Sequence, residues 1–107
     1  MTEKQSAAQQ ATGDITPKPA DVTDEVLFGD VWERDGLSPR DRSLVTVTAL
    51  IALYRSEQLG FHLQLAPDNG LSKDELSEAI THLAFYAGWP NAMGAAAQLK
   101  AILADAE

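Results

Sequence analysis

The chain has 107 residues, 45 % of them hydrophobic, and sixteen acidic against eight basic side chains give a net charge of −8. That is one small domain of ordinary globular composition, too negative overall for nucleic acid or an anionic membrane to be an expected partner. The absence of cysteine excludes disulfides, thiolate metal sites and thiol catalysis.

No apolar run approaches the roughly 20 residues of a membrane helix. The opening "MTEKQSAAQQ" lacks the apolar core of a secretory signal, so a cytoplasmic location is expected. Residues 1–22 are polar, carry two prolines and show no sustained periodicity, which reads as a disordered N-terminal tail. The helical domain is then expected over residues 23–107.

Thr23 is placed to cap a short helix through "DEVLFGDVW", followed by a loop at Asp35–Gly36. "LSPRDRSLVTVTALIALY" opens with Ser38 as N-cap and Pro39 at the first helical position, and Asp41 suits the positive end of the helix dipole. From Leu44 to Tyr54 apolar residues surround the axis, the pattern of a helix buried on all sides. Ser56 is the expected cap of the next helix, which runs towards Asn69 with Gly70 as its stop. Pro67 predicts a kink or an early end near Ala66, because it lacks an N–H and its ring crowds the carbonyl of Leu63. Ser72 and Glu75 have capping-box spacing, Leu76, Ile80, Leu83 and Ala87 form one stripe, and Gly88 ends that helix. An alanine-rich last helix follows Pro90. The expected fold is all-α, a small domain of about five helices with no β-hairpin or repeat. One domain of this size cannot surround two helices that lack a polar side, so a homo-oligomer is expected.

Polar chemistry concentrates in "YRSEQLGFHL", residues 54–63. On a helix Arg55, Gln58 and His62 share one face, whereas Glu57 points roughly 140° away from His62. Arg55 stands at a helix start, where backbone N–H groups favour anions, and Arg42 of the preceding helix is a candidate second cation if the two helices pack antiparallel. Walled by leucine, phenylalanine and tyrosine, such a pocket suits a small carboxylate-bearing molecule. The same residues also fit a plainer account, in which charged groups beside a helix start are solvated and His62 is a hydrogen-bonded structural residue. His82 reads as a satisfied, partly buried side chain. Trp32, Tyr54, Tyr86 and Trp89 read as core or interface aromatics. There is no P-loop, dinucleotide fingerprint, HExxH or nucleophile elbow, and two histidines twenty residues apart do not suggest a metal site.

"FGDVWERDGLSPRDRSLVTVTALIALYRSEQLGFHL" followed by "NGLSKDELSEAITHLAFYAGWPNAMGA" resembles the carboxymuconolactone decarboxylase family of the alkylhydroperoxidase D-like superfamily, over about residues 27–105. "GDVW", "RSLVTV", "NGLSKDEL" and "YAGWPNA" carry the likeness, in the family's order. The resemblance implies an all-helical fold assembled as a homotrimer or homohexamer. It also implies cofactor-independent decarboxylation of a small anionic lactone in aromatic-acid catabolism. Arg55 and Gln58 stand where the superfamily's peroxidases have their two cysteines, and Ser43 where they have a proton-relay glutamate, so a thiol peroxidase is excluded. His62 keeps the position of the family histidine. Arg42 and Arg55 match arginines of the decarboxylase branch, in which Gln58 is often glutamate. On this footing Arg42 and Arg55 bind the carboxylate, His62 is the donor or acid, Gln58 orients lactone or His62, and Glu57 is a further catalytic candidate. A non-catalytic oligomeric module, or an isomerase or hydrolase of a related lactone, stays open beside this reading.

Overall fold

Serine, proline and glycine punctuation decides much of where this chain turns, and in the computed structural model, which describes residues 5–105, most helix boundaries fall at those signals. The described residues form six α-helices, one π-helical segment and one 3-10 turn with no strand, the expected all-α class. The chain divides at Leu37/Ser38 into two units.

In the first unit α1 spans Ala7–Thr12 and α2 spans Pro17–Val22; α2 runs straight into a π-helical segment, Thr23–Phe28, and a 3-10 turn, Val31–Glu33, follows. Helical structure therefore occupies much of the stretch expected as a disordered tail, of which residues 1–4 lie outside the described residues. The reason is polar rather than apolar. The Ser6 hydroxyl caps α1 by accepting from the N–H of Gln9 at 3.1 Å, and donates to Asp24 at 2.9 Å. The Gln9 amide donates to Asp21 at 2.9 Å and Asp24 at 3.2 Å. Hydrophobic periodicity carries no trace of such links. Thr23 is not the cap that its sequence context suggests. The chain is already helical from Pro17, at whose position the missing N–H costs nothing, and the Thr23 hydroxyl turns back to the carbonyl of Pro19 at 2.8 Å. Phe28 and Trp32 stack with ring centroids 5.9 Å apart.

The second unit packs α3 (Pro39–Ala52), α4 (Ser56–Asp68), α5 (Lys73–Tyr86) and α6 (Trp89–Asp105) around one apolar core. Each helix contributes a stripe at three- and four-residue steps: Val47 and Ile51; Leu59, Leu63 and Ala66; Leu76, Ile80 and Leu83; Ala92, Ala95 and Leu99. Ser38 caps α3 at 3.1 Å from the N–H of Asp41. Ser72 and Glu75 close the capping box of α5 in both directions, at 3.1 and 3.0 Å. The Glu75 carboxylate also meets the Arg40 guanidinium, tying the start of α5 to the start of α3.

Two helix ends share one motif. After α4, Gly70 takes φ +96°, its N–H donates to Pro67 at 3.0 Å, and the N–H of the buried Leu71 donates to Ala66 at 3.0 Å. This is a Schellman end with glycine at its left-handed position. Pro67 thus does not shorten α4, which continues to Asp68; in the last turn the proline's carbonyl is used by the Gly70 N–H. After α3, Tyr54 N–H donates to Ile51 at 3.1 Å and Arg55 N–H to Leu50 at 2.8 Å, the same bond pair. There the left-handed residue is Tyr54, at φ 57°, an uncommon place for a bulky side chain.

Within one chain α3 is not covered on all sides. Ser43, Val47 and Ile51 are buried, but Val45 and Leu53 are 58 % and 60 % exposed. Tyr86 at 79 %, Phe85 at 77 % and Trp89 at 59 % are likewise surface aromatics of the single chain, not core.

The carboxyl of Glu75 is held well below its usual range, at about 2, by the Ser72 backbone N–H and then by Arg40. A carboxylate with a lowered folded pKa contributes stability that is present above its unfolded pKa and lost as pH falls through the folded one. Glu75→Gln, which keeps the capping-box geometry, is therefore expected to melt below the native chain at pH 7. The gap should close as pH is lowered from about 4.5 to about 2 in a thermal-melt series. A gap independent of pH would deny the ion pair its role.

Candidate active site

The tight reversal between α3 and α4 sets the geometry of the 54–63 stretch. Its Schellman end leaves no room for a further cap residue, so α4 begins at Ser56 and Arg55 occupies the N-cap, in place of the serine expected there. Arg55 makes no side-chain cap; its Nη1 donates to the Leu53 carbonyl at 3.4 Å and the side chain is exposed. Glu57 and Gln58, in the first turn of α4, are also exposed. His62, one turn beyond Gln58 on the same face, is half-buried, with Nδ1 shut off from solvent and the Phe61 ring edge-on at 5.0 Å. Burial holds its pKa below the usual imidazole range, so His62 is neutral at pH 7.

Arg42 is half-buried in the first turn of α3, with Nε shut off from solvent. The next residue, Ser43, accepts a 2.8 Å hydrogen bond from Asn69 at the end of α4. That bond sets the antiparallel register: the start of α3 lies beside the end of α4, while Arg55 lies at the start of α4. Ten residues of α3 separate Arg42 from Ala52, a rise of roughly 15 Å. Antiparallel packing thus moves the two arginines apart within one chain, where the sequence reading expects it to join them. Gln58 and His62 lie one turn apart on α4, with Arg55 at the N-cap before it; Arg42 belongs to the other end of α3.

Among the described residues, four hollows of the second unit are lined by side chains other than Arg42, Arg55, Glu57, Gln58 and His62. The stretch does line one of them through its other face. Tyr54, Ser56 and Leu59 join Leu50 and Ile51 of α3 and Asn91, Gly94, Ala95 and Gln98 of α6 around about 150 Å³. Asn91 donates to the last carbonyls of α3, Ile51 at 2.8 Å and Ala52 at 3.3 Å, and Gln98 donates to Ser56 at 3.3 Å. Sequence reasoning missed Asn91 and Gln98. The available signal was two amides seven residues apart on one face of a helix otherwise built from small residues. A wider hollow of about 470 Å³ lies between α3 and α5, lined by Arg40, Thr48, Glu75, Glu78 and His82 among others. His82 is exposed there and stacks on Tyr86 at 4.8 Å, so it is not the partly buried residue that its apolar context suggests. Among the described residues no three histidine, aspartate or glutamate side chains gather as a metal cluster, and no helix is long and apolar enough to cross a membrane.

The family model described as "Carboxymuconolactone decarboxylase family" matches residues 17–101. The chain is 42 % identical over 78 residues to a 4-carboxymuconolactone decarboxylase of Acinetobacter baylyi, covering 73 % of the chain and 58 % of that protein. It is 35 % identical over 91 residues to a nitrosuccinic acid decarboxylase of Metarhizium robertsii, covering 85 % of the chain and 63 % of that protein. The chain thus spans about three-fifths of the length of these curated relatives. The family match takes in all four helices of the second unit up to Ala101 and reaches back to the start of α2. The chain belongs to the carboxymuconolactone decarboxylase family.

Proposed function

We propose that the chain is a cofactor-independent decarboxylase of a small carboxylated substrate, a lactone of the 4-carboxymuconolactone type, working as a homo-oligomer in the cytoplasm in aromatic-acid breakdown. The observation that carries the reading is family membership together with similarity to two decarboxylases whose substrates share one chemical feature. In a lactone with a conjugated carbonyl, and in nitrosuccinic acid, the carbon that loses carbon dioxide can pass its electron pair to an adjoining electron-withdrawing group. The protein then needs an anchor for carboxylate, a hydrogen-bond donor at the oxygen that takes up charge, and exclusion of bulk water.

Arg55 supplies the anchor with a forked, charge-assisted contact. His62, neutral through burial, donates an N–H to the developing enolate oxygen. The carbon–carboxylate bond breaks, carbon dioxide leaves, and its bonding pair becomes the enolate. The enolate carbon takes a proton from water, and the remaining hydroxide combines with carbon dioxide as bicarbonate. Gln58, between Arg55 and His62, orients the lactone; Glu57, on another side of the helix, holds a lesser place. Arg42 lies at the wrong end of its own chain for this site, and a second copy supplies it. The exposed apolar side chains at Val45 of α3 and Leu53 just beyond it, and the rim at Tyr86 and Trp89, are the surfaces that such a copy covers. No nucleic acid, membrane or cofactor takes part.

His62→Ala is expected to lower decarboxylation of 4-carboxymuconolactone by about 10²-fold with assembly intact. Because the neutral imidazole is the working form, turnover should fall on acidification, with a midpoint below the usual imidazole range. A rate that rises with acid would instead make the imidazolium the proton donor. Arg55→Lys should raise KM more than it lowers kcat, since a point charge does not replace a fork.

Sharing of the site between copies has its own measurement. Arg42→Ala and Arg55→Ala, each weak alone, should regain activity when unfolded together and co-assembled, because some sites then contain both arginines. Mixed assemblies no better than their parents would place both arginines in one protomer's site. Absence of any decarboxylation by the native chain, with the oligomer formed, would favour the assembly module.

A further inference from the structure

The hollow beside the α3–α4 reversal lies on the face of α4 next to the one that carries Gln58 and His62, and carries no charged residue in its lining. From it we infer a second small-molecule site, one that takes an uncharged five- or six-membered ring bearing a hydroxyl or carbonyl group. The inference shares no residue with the carboxylate site and stands apart from the decarboxylase reading.

Size comes first. A cavity of about 150 Å³ is that of a buried benzene-sized guest, whose apolar ring displaces poorly held water. Leu50, Ile51, Leu59 and Ala95 supply apolar floor and walls for the ring's carbon face. Chemistry follows. The Asn91 nitrogen is committed to the carbonyls of Ile51 and Ala52, which fixes the amide and offers its oxygen as an acceptor. The hydroxyls of Tyr54 and Ser56, both lining the hollow, can give or take a proton. A ring with one polar substituent satisfies that set; a carboxylate brings a full charge to a place with no cation to meet it.

The second observation is the backbone of Tyr54. The left-handed position that ends α4 is filled by glycine, whereas at the end of α3 the same position carries a tyrosine at φ 57°. A side chain held there against its conformational preference marks a local constraint of the kind found at ligand sites. Tyr54 lines the hollow while remaining 63 % exposed, with Cε1 about 4.0 Å from where a Cβ on Gly94 would lie. Gly94 leaves open the space that a larger residue would fill. Arg55 lies between Tyr54 and Ser56 in the chain, so an occupant of the hollow bears on the placement of that guanidinium.

The experiment is an NMR titration of the full chain with phenol, and with benzoate as its charged counterpart, following the side-chain amide signals of Asn91 and Gln98. Phenol should shift both signals saturably and benzoate should not. Gly94→Leu, which fills the hollow from a helical position where leucine is favoured, should abolish the phenol response while leaving a folded spectrum. Tyr54→Gly should weaken phenol binding about tenfold, the worth of one aromatic contact, without lowering the thermal midpoint, because glycine suits the left-handed backbone. A Tyr54 serving the fold alone would lower that midpoint and leave the titration unchanged. No saturable shift with phenol, an equal response to benzoate, or a phenol response that survives in Gly94→Leu would each overturn the inference. Should Gly94→Leu not fold, the paired readouts of Tyr54→Gly decide alone.

Discussion

The reversal between α3 and α4 is the constraint on which the rest of the second unit depends. A helix end leaves carbonyls without partners, and here they are met twice over. Backbone N–H groups of Tyr54 and Arg55 turn back onto Ile51 and Leu50, and the Asn91 amide reaches across from α6 to Ile51 and Ala52. Gln98, two turns further along α6, fixes the first carbonyl of α4 in the same way. Three helices are thereby locked at one point. The antiparallel register follows from it, and with it the separation of Arg42 from Arg55 and the small hollow beneath Tyr54.

At the opposite end of the bundle one tie is charged and one is neutral. Glu75 completes the cap of α5 and grips Arg40, while Asn69 holds the buried hydroxyl of Ser43. Between the two ends lies a purely apolar core with Val47, Leu63, Ala66 and Leu71 almost wholly removed from water. The interior thus supplies cohesion, and the polar ends supply register. The two arginines are divided in the same way: Arg55 is placed by the amide-locked end, Arg42 by the end that Glu75 and Asn69 tie.

How far this was legible in the sequence depends on the range of the interaction. Ser38–Pro39, Ser72 with Glu75, Gly70 and Gly88 are local signals, and each falls at the helix boundary that it announces. The apolar stripes of α4 and α5 follow from spacing alone. The N-terminal helices were not visible, because Ser6 and Gln9 hold Asp21 and Asp24 by polar bonds that leave no period. Pro67 was read by its interior effect, although it stands in a last turn. In the candidate site, spacing puts Gln58 and His62 one turn apart on α4, with Arg55 at the N-cap position just before it. It gave no means of knowing that the neighbouring face, with Tyr54, Ser56 and Leu59, borders the hollow, since Asn91 and Gln98 arrive from a distant helix. Nor does a sequence carry register, and register is what separates Arg42 from Arg55.

The end of α4 has a further consequence, for the chemical ageing of the chain. An asparagine followed by glycine is the dipeptide most prone to cyclise: the glycine nitrogen attacks the side-chain carbonyl, ammonia leaves, and a succinimide opens to aspartate or isoaspartate. At Asn69–Gly70 both partners are engaged elsewhere. The Gly70 nitrogen donates to Pro67, and the Asn69 amide nitrogen donates to the buried Ser43 hydroxyl. The helix end that sets the register also holds the nucleophilic nitrogen away from the side-chain carbonyl carbon, so slow deamidation of this dipeptide is expected for as long as α4 stays wound.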